Sequence, residues 1–397
     1  MLKFIVSGTL RAVLCAAVFA AGVIVVPAAL TAQQPYHVIA QWNIGGDGIW
    51  DGLIADSAAH RLYISRQTHI DVVDTTTGKR IGALGGLKGS FAIALDTARK
   101  FGFITDDSGH AIVVFDRASL ATVTTIPVEG HYPENIFFEP TTQTAWAFDA
   151  RSHSALVVDA ATQKLIDTVA LPGKPKSAVS DGEGTIYDNL EDKNEVIRID
   201  ARTRKVTAEW PAGCDAPNAI VMDVPSHRLF TTCRDGKTSI LDCETGKLLT
   251  TLNIGGGPSG IGWSDKYHLI LTAGTGGSLA VIDGSAAGFP AIENLPMPDG
   301  ARNMTYDAGN DRVYAVTGKT IGFSGGGGPP PARAPGQQPG AGQGQQGPPP
   351  PGTPRPGDQG GQGSPQAQGQ QGPQQGGGEP PKPAVVPDSF TVIVVGR

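Results

Sequence analysis

Short apolar segments recur along the chain, and each ends in an aspartate followed by a polar turn. β-Branched and aromatic residues predominate in them, as in the segment IVVFD at 112–116, which is typical of a buried β-strand. The aspartates that end six of these segments are Asp74, Asp116, Asp159, Asp200, Asp242 and Asp283. Their spacing of 41 to 43 residues corresponds to four short strands with their turns, so the pattern predicts a protein built from four-stranded repeats.

Each repeat opens with a further apolar strand. These opening strands are predicted at residues 53–56, 93–96, 136–139, 178–181, 220–223, 261–264 and 304–307. A four-stranded sheet of this length cannot bury both of its faces alone, so neighbouring repeats are expected to stack radially and to form each other's core. The predicted fold is therefore all-β, a seven-bladed β-propeller of four-stranded antiparallel blades.

The seventh repeat has no fourth strand in sequence order. Its third strand is predicted at residues 390–395, which resemble the third strands of the other repeats. The segment WNIGG at 42–46 matches LNIGG at 252–256, where the fourth strand of the fifth repeat ends. We therefore expect the N-terminal strand to complete the last blade and close the ring, because closure removes an open sheet edge.

The composition divides the chain into four parts. Residues 1–32 combine two basic residues with an apolar run and small residues near the end, which predicts a signal peptide and hence a periplasmic or secreted protein. The alternative is an uncleaved anchor, since the run approaches the roughly 20 residues that span a bilayer. The propeller is predicted at 33–321 and the last strand of blade 7 at 388–397. No other segment is apolar enough to span a membrane.

Residues 322–387 are rich in glycine, proline and glutamine and interrupt the seventh repeat between its second and third strands. Because they carry few apolar side chains, burial cannot offset their ordering entropy, and we expect disorder. Two interpretations stay open. The segment is either a tolerated surface insertion, since long loops cost little stability, or a tether or ligand for a proline-recognising partner.

The net charge limits the classes of binding partner, and the cysteines indicate the compartment. The formal net charge is −6, and removal of residues 1–32, with two basic and no acidic residues, leaves −8. An acidic protein of this kind is not expected to bind nucleic acid. Cys214 and Cys233 fall on the same face of the fifth blade and are predicted to form a disulfide, as suits an exported protein. Cys243 falls on the opposite face and is predicted to be free.

Polar residues that recur from blade to blade are interpreted as turn residues. An aspartate that begins a turn accepts hydrogen bonds from backbone amides two or three residues later. The Asp-x-x-Thr-x-Lys pattern occurs at 74–79, 159–164, 200–205 and 242–247, and histidines occupy one shared turn position at His60, His227 and His268. Recurrence of this kind indicates a structural role and argues against catalysis.

The strand starts RLYI at 61–64, RLFT at 228–231 and RVYAVT at 312–317, followed by Asp-x-x-Thr-x-Lys turns, resemble the YVTN-repeat, or YncE-like, β-propeller family of exported bacterial proteins. The segment between Cys214 and Cys233 also resembles a cysteine-bracketed blade of that family. The resemblance implies a propeller fold. It defines activity less closely, because such repeats serve several binding roles and border on lactonase-type propellers.

Propeller ligands usually bind where the loops that enter the inner strands and the turns between second and third strands converge on the central channel. Blades one to three are expected to place acidic residues and histidines there, together with the aromatic residues Trp50, Phe91 and Tyr132. Later blades are expected to place basic residues and an asparagine there. The candidate site residues are Asp51, Asp106, His110, His131, Glu134, Asp149 and His153 on the first side and Lys176, Asn218, Arg234 and Arg302 on the second, with Asp107, Lys174 and Lys193 nearby.

Two functions fit these residues. The first is a binding or scaffolding protein that recognises a protein, a peptide or a cell-envelope component at the channel mouth. The second is a lactonase-type hydrolase, in which His110, His131, Glu134 and His153 supply an acid–base pair or bind a divalent metal and Arg234 or Arg302 holds an anionic group. No HExxH, CxxC or nucleophile-elbow motif is present. The first function requires no cofactor, and the sequence does not predict an oligomeric state.

Overall fold

The computed structural model describes residues 34–321 and 384–397, except for Thr97, Gly257, Thr275, Asp299 and Arg302. The described residues form β-strands and turns without a helix, and among them no helix is available that could span a membrane. The predicted signal peptide, most of the predicted insert and the candidate residue Arg302 lie outside the described residues.

Every strand belongs to an antiparallel ladder. The N-terminal strand and blades 1 to 3 comprise β1 His37–Asn43, β2 Leu53–Asp56, β3 Arg61–Ser65, β4 Ile70–Asp74, β5 Arg80–Leu84, β6 Ser90–Leu95, β7 Phe101–Asp106, β8 Ala111–Asp116, β9 Thr122–Pro127, β10 Asn135–Glu139, β11 Thr144–Asp149, β12 Ser154–Asp159 and β13 Lys164–Ala170. Blades 4 and 5 comprise β14 Pro175–Ser180, β15 Thr185–Leu190, β16 Glu195–Asp200, β17 Lys205–Pro211, β18 Pro217–Asp223, β19 Arg228–Cys233, β20 Lys237–Asp242 and β21 Leu248–Asn253. Blades 6 and 7, with a short ladder of β28 and β29 between the second and third strands of blade 7, comprise β22 Pro258–Ser264, β23 Leu269–Gly274, β24 Ser278–Asp283, β25 Ala291–Pro296, β26 Asn303–Asp307, β27 Arg312–Thr317, β28 Thr320–Ile321, β29 Ala384–Val385 and β30 Thr391–Gly396.

Seven four-stranded sheets form the blades of a β-propeller, as predicted. Six blades are built from consecutive strands, whereas the seventh has the order β1-β30-β27-β26. Its outer strand β1 runs antiparallel to β30, with Trp42 opposite Val392 and Asn43 opposite Thr391. The inner strands of successive blades contact one another around the whole ring, including β26 of blade 7 with β2 of blade 1. The predicted closure by the N-terminal strand is therefore confirmed.

The hydrophobic core lies between neighbouring blades. The middle strands are buried on both sides, and the outer strands alternate between half-buried and exposed residues, as in β17. At the closure, Tyr314 and Val316 of blade 7 pack against Leu62 and Ile64 of blade 1. Each blade thus needs both neighbours, which is why radial stacking stabilises sheets that are too small to fold alone.

The recurring aspartates shape turns, as expected. In blade 1, Asp74 Oδ1 accepts hydrogen bonds from the backbone N–H groups of Thr76 and Thr77 at 2.9 and 2.8 Å. With a further bond from the Thr76 hydroxyl, they lower the pKa of Asp74 to about 2. The recurring histidines have positive φ angles of 52°, 54° and 53° at His60, His227 and His268, the left-handed backbone of a tight turn. Both sets of residues therefore have structural roles.

The cysteines are arranged as predicted. Cys214 and Cys233 form a disulfide between the loop that enters blade 5 and the end of its second strand. Cys243 is free and buried. The disulfide joins two points that the register of β18 and β19 already brings together, since Pro217 is opposite Cys233.

A buried arginine holds the ring closure on the face where β30 begins. Arg66 has no exposed surface, and its Nη1 donates to Asp71 Oδ2 at 2.8 Å. Its guanidinium also lies 3.8 Å from the ring centroid of Phe390, directly before β30. Its remaining donors reach, at 2.8 to 3.3 Å, carbonyl oxygens in the loop after β1, those of Gly45, Asp47 and Gly48. One side chain therefore joins both terminal strands to blade 1.

A second arginine lies at the other end of β30. The Arg397 guanidinium carbon is 4.4 Å from the ring centroid of Tyr36 and 4.2 Å from that of Tyr267. Tyr36, which precedes β1, donates its hydroxyl to Asp311 Oδ1 at 2.6 Å, and Arg397 Nε lies 3.7 Å from Asp311 Oδ2. Both ends of the closing strand pair thus carry an arginine stacked on aromatic rings.

We predict that Arg66→Ala lowers the free energy of unfolding by about 3–5 kcal/mol, because it removes the buried partner of the buried Asp71 carboxylate and leaves Asp71 Oδ2 without its hydrogen bond. Arg80→Ala is the matched control, since Arg80 also contacts Asp71, at 3.2 Å, but its side chain is 46% exposed. That variant should lose less than about 1 kcal/mol. Urea unfolding measures both free energies. Equal losses in the two variants would show that Arg66 does not stabilise the ring closure.

Candidate functional site at the channel mouth

The loops that enter the inner strands and the turns between second and third strands lie on one face of the ring, because the strands of each blade are antiparallel. We call this face the mouth. Asp106 and Asp149 occupy equivalent turns there and accept backbone hydrogen bonds from the entering loop of their own blade. The donors are the N–H groups of Lys88 and Gly89 at 3.0 and 2.7 Å to Asp106 and of Tyr132 at 3.1 Å to Asp149. In blade 4, Asp192 accepts the Lys174 amide in the same way, at 2.7 Å. These candidate residues therefore position loops.

The candidate histidines His110 and His153 also occupy a repeated position in these turns. Both have a φ angle of 50°, and the equivalent Asn194 has 57°. His153 is exposed. The His110 ring packs edge-on against Tyr132, with 4.6 Å between ring centroids, and its Nδ1 lies 2.9 Å from the His131 carbonyl oxygen. The structure therefore brings His110 to the blade 3 loop and leaves His153 on the surface.

His131 lies against Asp149. Its Nδ1 is 3.0 Å from Asp149 Oδ2 and 3.2 Å from Ser152 Oγ. Burial acts to raise the pKa of Asp149, but hydrogen bonds from the Ser152 hydroxyl and the Tyr132 amide outweigh it, and the pKa is lowered. The Asp149 carboxylate is thus ionised and holds the orientation of the His131 ring.

Glu134 lies in the same loop, and only its backbone is anchored, through the N–H group that donates to the Phe148 carbonyl at 3.0 Å. Within residues 34–321 and 384–397, outside the five undescribed positions, no three His, Cys, Asp or Glu side chains are grouped to hold a metal ion. The candidate residues of blade 3 therefore form a histidine–carboxylate pair, and they do not fit a metal centre.

Arg151 and Tyr132 form a stack that the sequence did not reveal. The Arg151 guanidinium carbon lies 3.9 Å from the Tyr132 ring centroid, and its Nη2 is 3.6 Å from Asp107 Oδ2 in blade 2. His110 packs on the same tyrosine. Arg151 follows Asp149 by two residues in a turn on the mouth, and this position in the sequence could have identified it as a candidate.

The basic side of the mouth is partly neutralised by Glu191, which sequence reasoning missed. Glu191 contacts Lys174 Nζ at 2.7 Å and Arg234 Nη2 at 2.6 Å, linking blades 4 and 5. Burial acts to raise the pKa of Glu191, but the bond from Lys174 and the charge of Arg234 outweigh it, and the pKa is lowered. The candidate Arg234 therefore has a carboxylate partner.

The remaining candidates lie on the inner strands or just before them. Lys176 is half-buried on β14, and its carbonyl oxygen accepts the side-chain amide of Asn135 at 2.8 Å. Asn218 lies near the start of β18 and is half-buried. Asp51 precedes β2, and its N–H group donates to the Ser65 carbonyl at 3.3 Å. These residues surround the mouth, and the described contacts do not join them into one constellation.

A buried carboxyl lies outside the mouth surface. Asp188 on β15 has no exposed surface, and neither carboxyl oxygen has a hydrogen-bond partner of normal geometry among the described residues. Burial raises the pKa of Asp188 well above its ordinary value, although the backbone amides of Lys176 and Asn189 act to lower it. The fold therefore favours the protonated form of this carboxyl.

Solved structures of low sequence identity share this fold. Hydrazine synthase of Kuenenia stuttgartiensis matches with a TM-score of 0.59 and 16% identity over 66% of this chain and 91% of that chain. U3-55K matches with a TM-score of 0.60 and 10% identity over 70% and 90% of the two chains. The WD40 repeats of RRP9 match with a TM-score of 0.61 and 10% identity over 70% and 89%.

At these identities the likeness shows a seven-bladed β-propeller and nothing about activity. No protein-family model and no curated protein sequence matches the chain. Membership of the YVTN-repeat family therefore stays a prediction from the strand and turn motifs.

We predict that Asp188→Asn stabilises the protein increasingly as the pH rises. In the unfolded chain the carboxyl ionises near pH 3.8, whereas in the fold it keeps its proton, so unfolding releases a proton and becomes easier with rising pH. The free energy of unfolding of the variant should equal that of the parent near pH 4. Above that pH it should exceed the parent value by about 1.4 kcal/mol for each further pH unit, until Asp188 ionises in the fold. Urea unfolding from pH 4 to 7 measures this difference, and a pH-independent gap would contradict it.

Proposed function

We propose that this chain is an exported binding propeller of the YVTN-repeat type that holds a protein, a peptide or a cell-envelope component against its mouth. The supporting observation is the stack of His110, Tyr132 and Arg151, which presents an aromatic ring and a guanidinium in fixed positions on the mouth. Tyrosine and arginine are the residue types that most often dominate binding energy at interfaces. The propeller fold is consistent with such a role.

Export is part of the proposal. It is supported by the basic start, apolar run and small residues of 1–32. The disulfide between Cys214 and Cys233 fits an oxidising compartment, periplasmic or extracellular. We also propose that the glycine- and proline-rich segment predicted at 322–387, which interrupts blade 7 between its second and third strands, serves as a tether or a proline-rich ligand next to the binding face.

The second candidate is a lactonase-type hydrolase, which one observation favours. Asp149 orients His131 through Nδ1, so Nε2 of the same ring is left to accept a proton from a water molecule, as a general base does. No step is assigned to a metal, because the described residues do not group as metal ligands. The binding function is preferred because Asp149 also serves as a loop-positioning residue, as the equivalent Asp106 does in blade 2.

We predict that a photo-crosslinking amino acid at Glu129, an exposed position of the mouth loop of blade 3, captures a discrete partner when the full chain is expressed in its native host. The same residue at Thr207, exposed on outer strand β17, is the control and should capture nothing. Tyr132→Ala with Arg151→Ala should remove the Glu129 product, because the stack would no longer bind. A product that persists in the double variant, or that appears equally at Thr207, would contradict mouth binding.

For the hydrolase candidate, we expect the protein to open δ-lactones. The rate is measured by pH-stat titration of the acid that this reaction releases. The rate should be unchanged by EDTA and should fall at least about a hundredfold in His131→Gln, the lower range of a general base's contribution. His153→Gln is the matched control, since His153 lies in the turn between β11 and β12 and its side chain is exposed. Equal rates in both variants would remove this candidate.

A further inference from the structure

A small pocket opens on the mouth between blades 1 and 2. Its volume is about 140 Å³, and no lysine, arginine or histidine lines it. Its wall instead contains two aromatic and two acidic side chains with polar neighbours, namely Trp50, Phe91, Asp51, Asp107, Gln67 and Ser108.

The Asp107 carboxylate lines this pocket and is only partly paired within the fold. It is 6% exposed, and its Oδ1 has no hydrogen-bond partner among the described residues. Its Oδ2 lies 3.4 Å from the Ser108 hydroxyl and 3.6 Å from the exposed Arg151. The preceding Asp106, in contrast, accepts two backbone hydrogen bonds. A carboxylate that is buried and incompletely paired is costly, unless a ligand completes its interactions.

The aromatic wall is held in place by the ring closure. The Trp50 ring lies 5.3 Å from the Phe390 ring, centroid to centroid, and Phe390 in turn packs against the Arg66 guanidinium. Gly318 lies so close that a Cβ atom there would be 2.9 Å from the Trp50 ring. The pocket is therefore pre-formed, which reduces the entropy lost on binding.

We propose that this pocket binds the cationic head of a lysine or arginine side chain from a peptide partner, with the cation against the rings of Trp50 and Phe91 and its charge neutralised by Asp107. The inference rests on the proposed binding function and specifies its ligand. Aromatic faces attract cations, and a carboxylate forms strong charge-assisted bonds with ammonium and guanidinium donors. A pocket of this size admits the end of one side chain and excludes a folded domain.

The test uses the mature chain, residues 33–397, labelled with 5-fluorotryptophan. The chain has five tryptophans, and Trp50→Phe assigns the Trp50 resonance in the ¹⁹F spectrum. The probes are acetyl-Gly-Lys-Gly-amide, acetyl-Gly-Arg-Gly-amide and the uncharged acetyl-Gly-norleucine-Gly-amide. We expect the two basic peptides to shift the Trp50 signal with saturation and the norleucine peptide to leave it unchanged.

Asp107→Asn keeps the shape of the side chain but removes its charge, so the affinity for the two basic peptides should fall at least about tenfold. Phe91→Leu should also lower this affinity. The control variant Asp167→Asn, which removes a charge on outer strand β13, should bind the peptides with the affinity of the parent. Equal shifts with norleucine, or an unchanged affinity in Asp107→Asn, would overturn the pocket assignment. The crosslinking result at Glu129 does not depend on this pocket, so failure here and failure of the proposed function are distinguishable.

Discussion

Pairing between β1 and β30 converts a row of seven blades into a ring. Without this pair, blade 7 would have three strands and an exposed edge, and β30, whose Val392 and Val394 share a core with Leu62 and Ile64 of blade 1, would lose its outer partner. Closure therefore affects more than one sheet, because every blade depends on its neighbours for half of its core. The mouth depends on it as well, since Trp50 is positioned by Phe390 at the beginning of β30.

Arg66 shows how the closure gains its geometry. Removing a guanidinium from water is expensive, and this cost is offset only when most of its donors find acceptors. Here the acceptors are Asp71 and three carbonyl oxygens in the loop after β1. The backbone of residues 45–48 must follow one path to place these carbonyl oxygens around the Arg66 guanidinium. Arg66 therefore specifies where the N-terminal strand enters the ring. The left-handed glycines Gly45 and Gly46 allow this path, with φ angles of 65° and 76°.

The sequence predicted the parts of the fold that are encoded by repetition. The interval between aspartates predicted the length of one repeat, the seven opening strands predicted the number of blades, and the match between 42–46 and 252–256 identified the closing strand, because equivalent segments occupy equivalent places in a repeat. The disulfide followed from the same logic. Arg66 was not identified, since its burial depends on residues 45–48 and Phe390, which meet it only after the ring closes.

The same distinction separates structural from functional residues at the mouth. Asp106 and Asp149 were selected as site candidates for their chemistry, yet each accepts backbone hydrogen bonds from the entering loop of its own blade, so the fold explains them without a ligand. The pairing of Arg234 with Glu191 could not be predicted, because it joins side chains from different blades whose relative placement the repeat pattern does not give. The side chains of Tyr132, Arg151 and Asp107 lie on the same face, but the contacts of Arg151 with Tyr132 and Asp107 are not turn hydrogen bonds, and Asp107 Oδ1 has no partner among the described residues. In a repeat protein, a polar side chain that is not needed to hold a turn is therefore the stronger indication of a binding site.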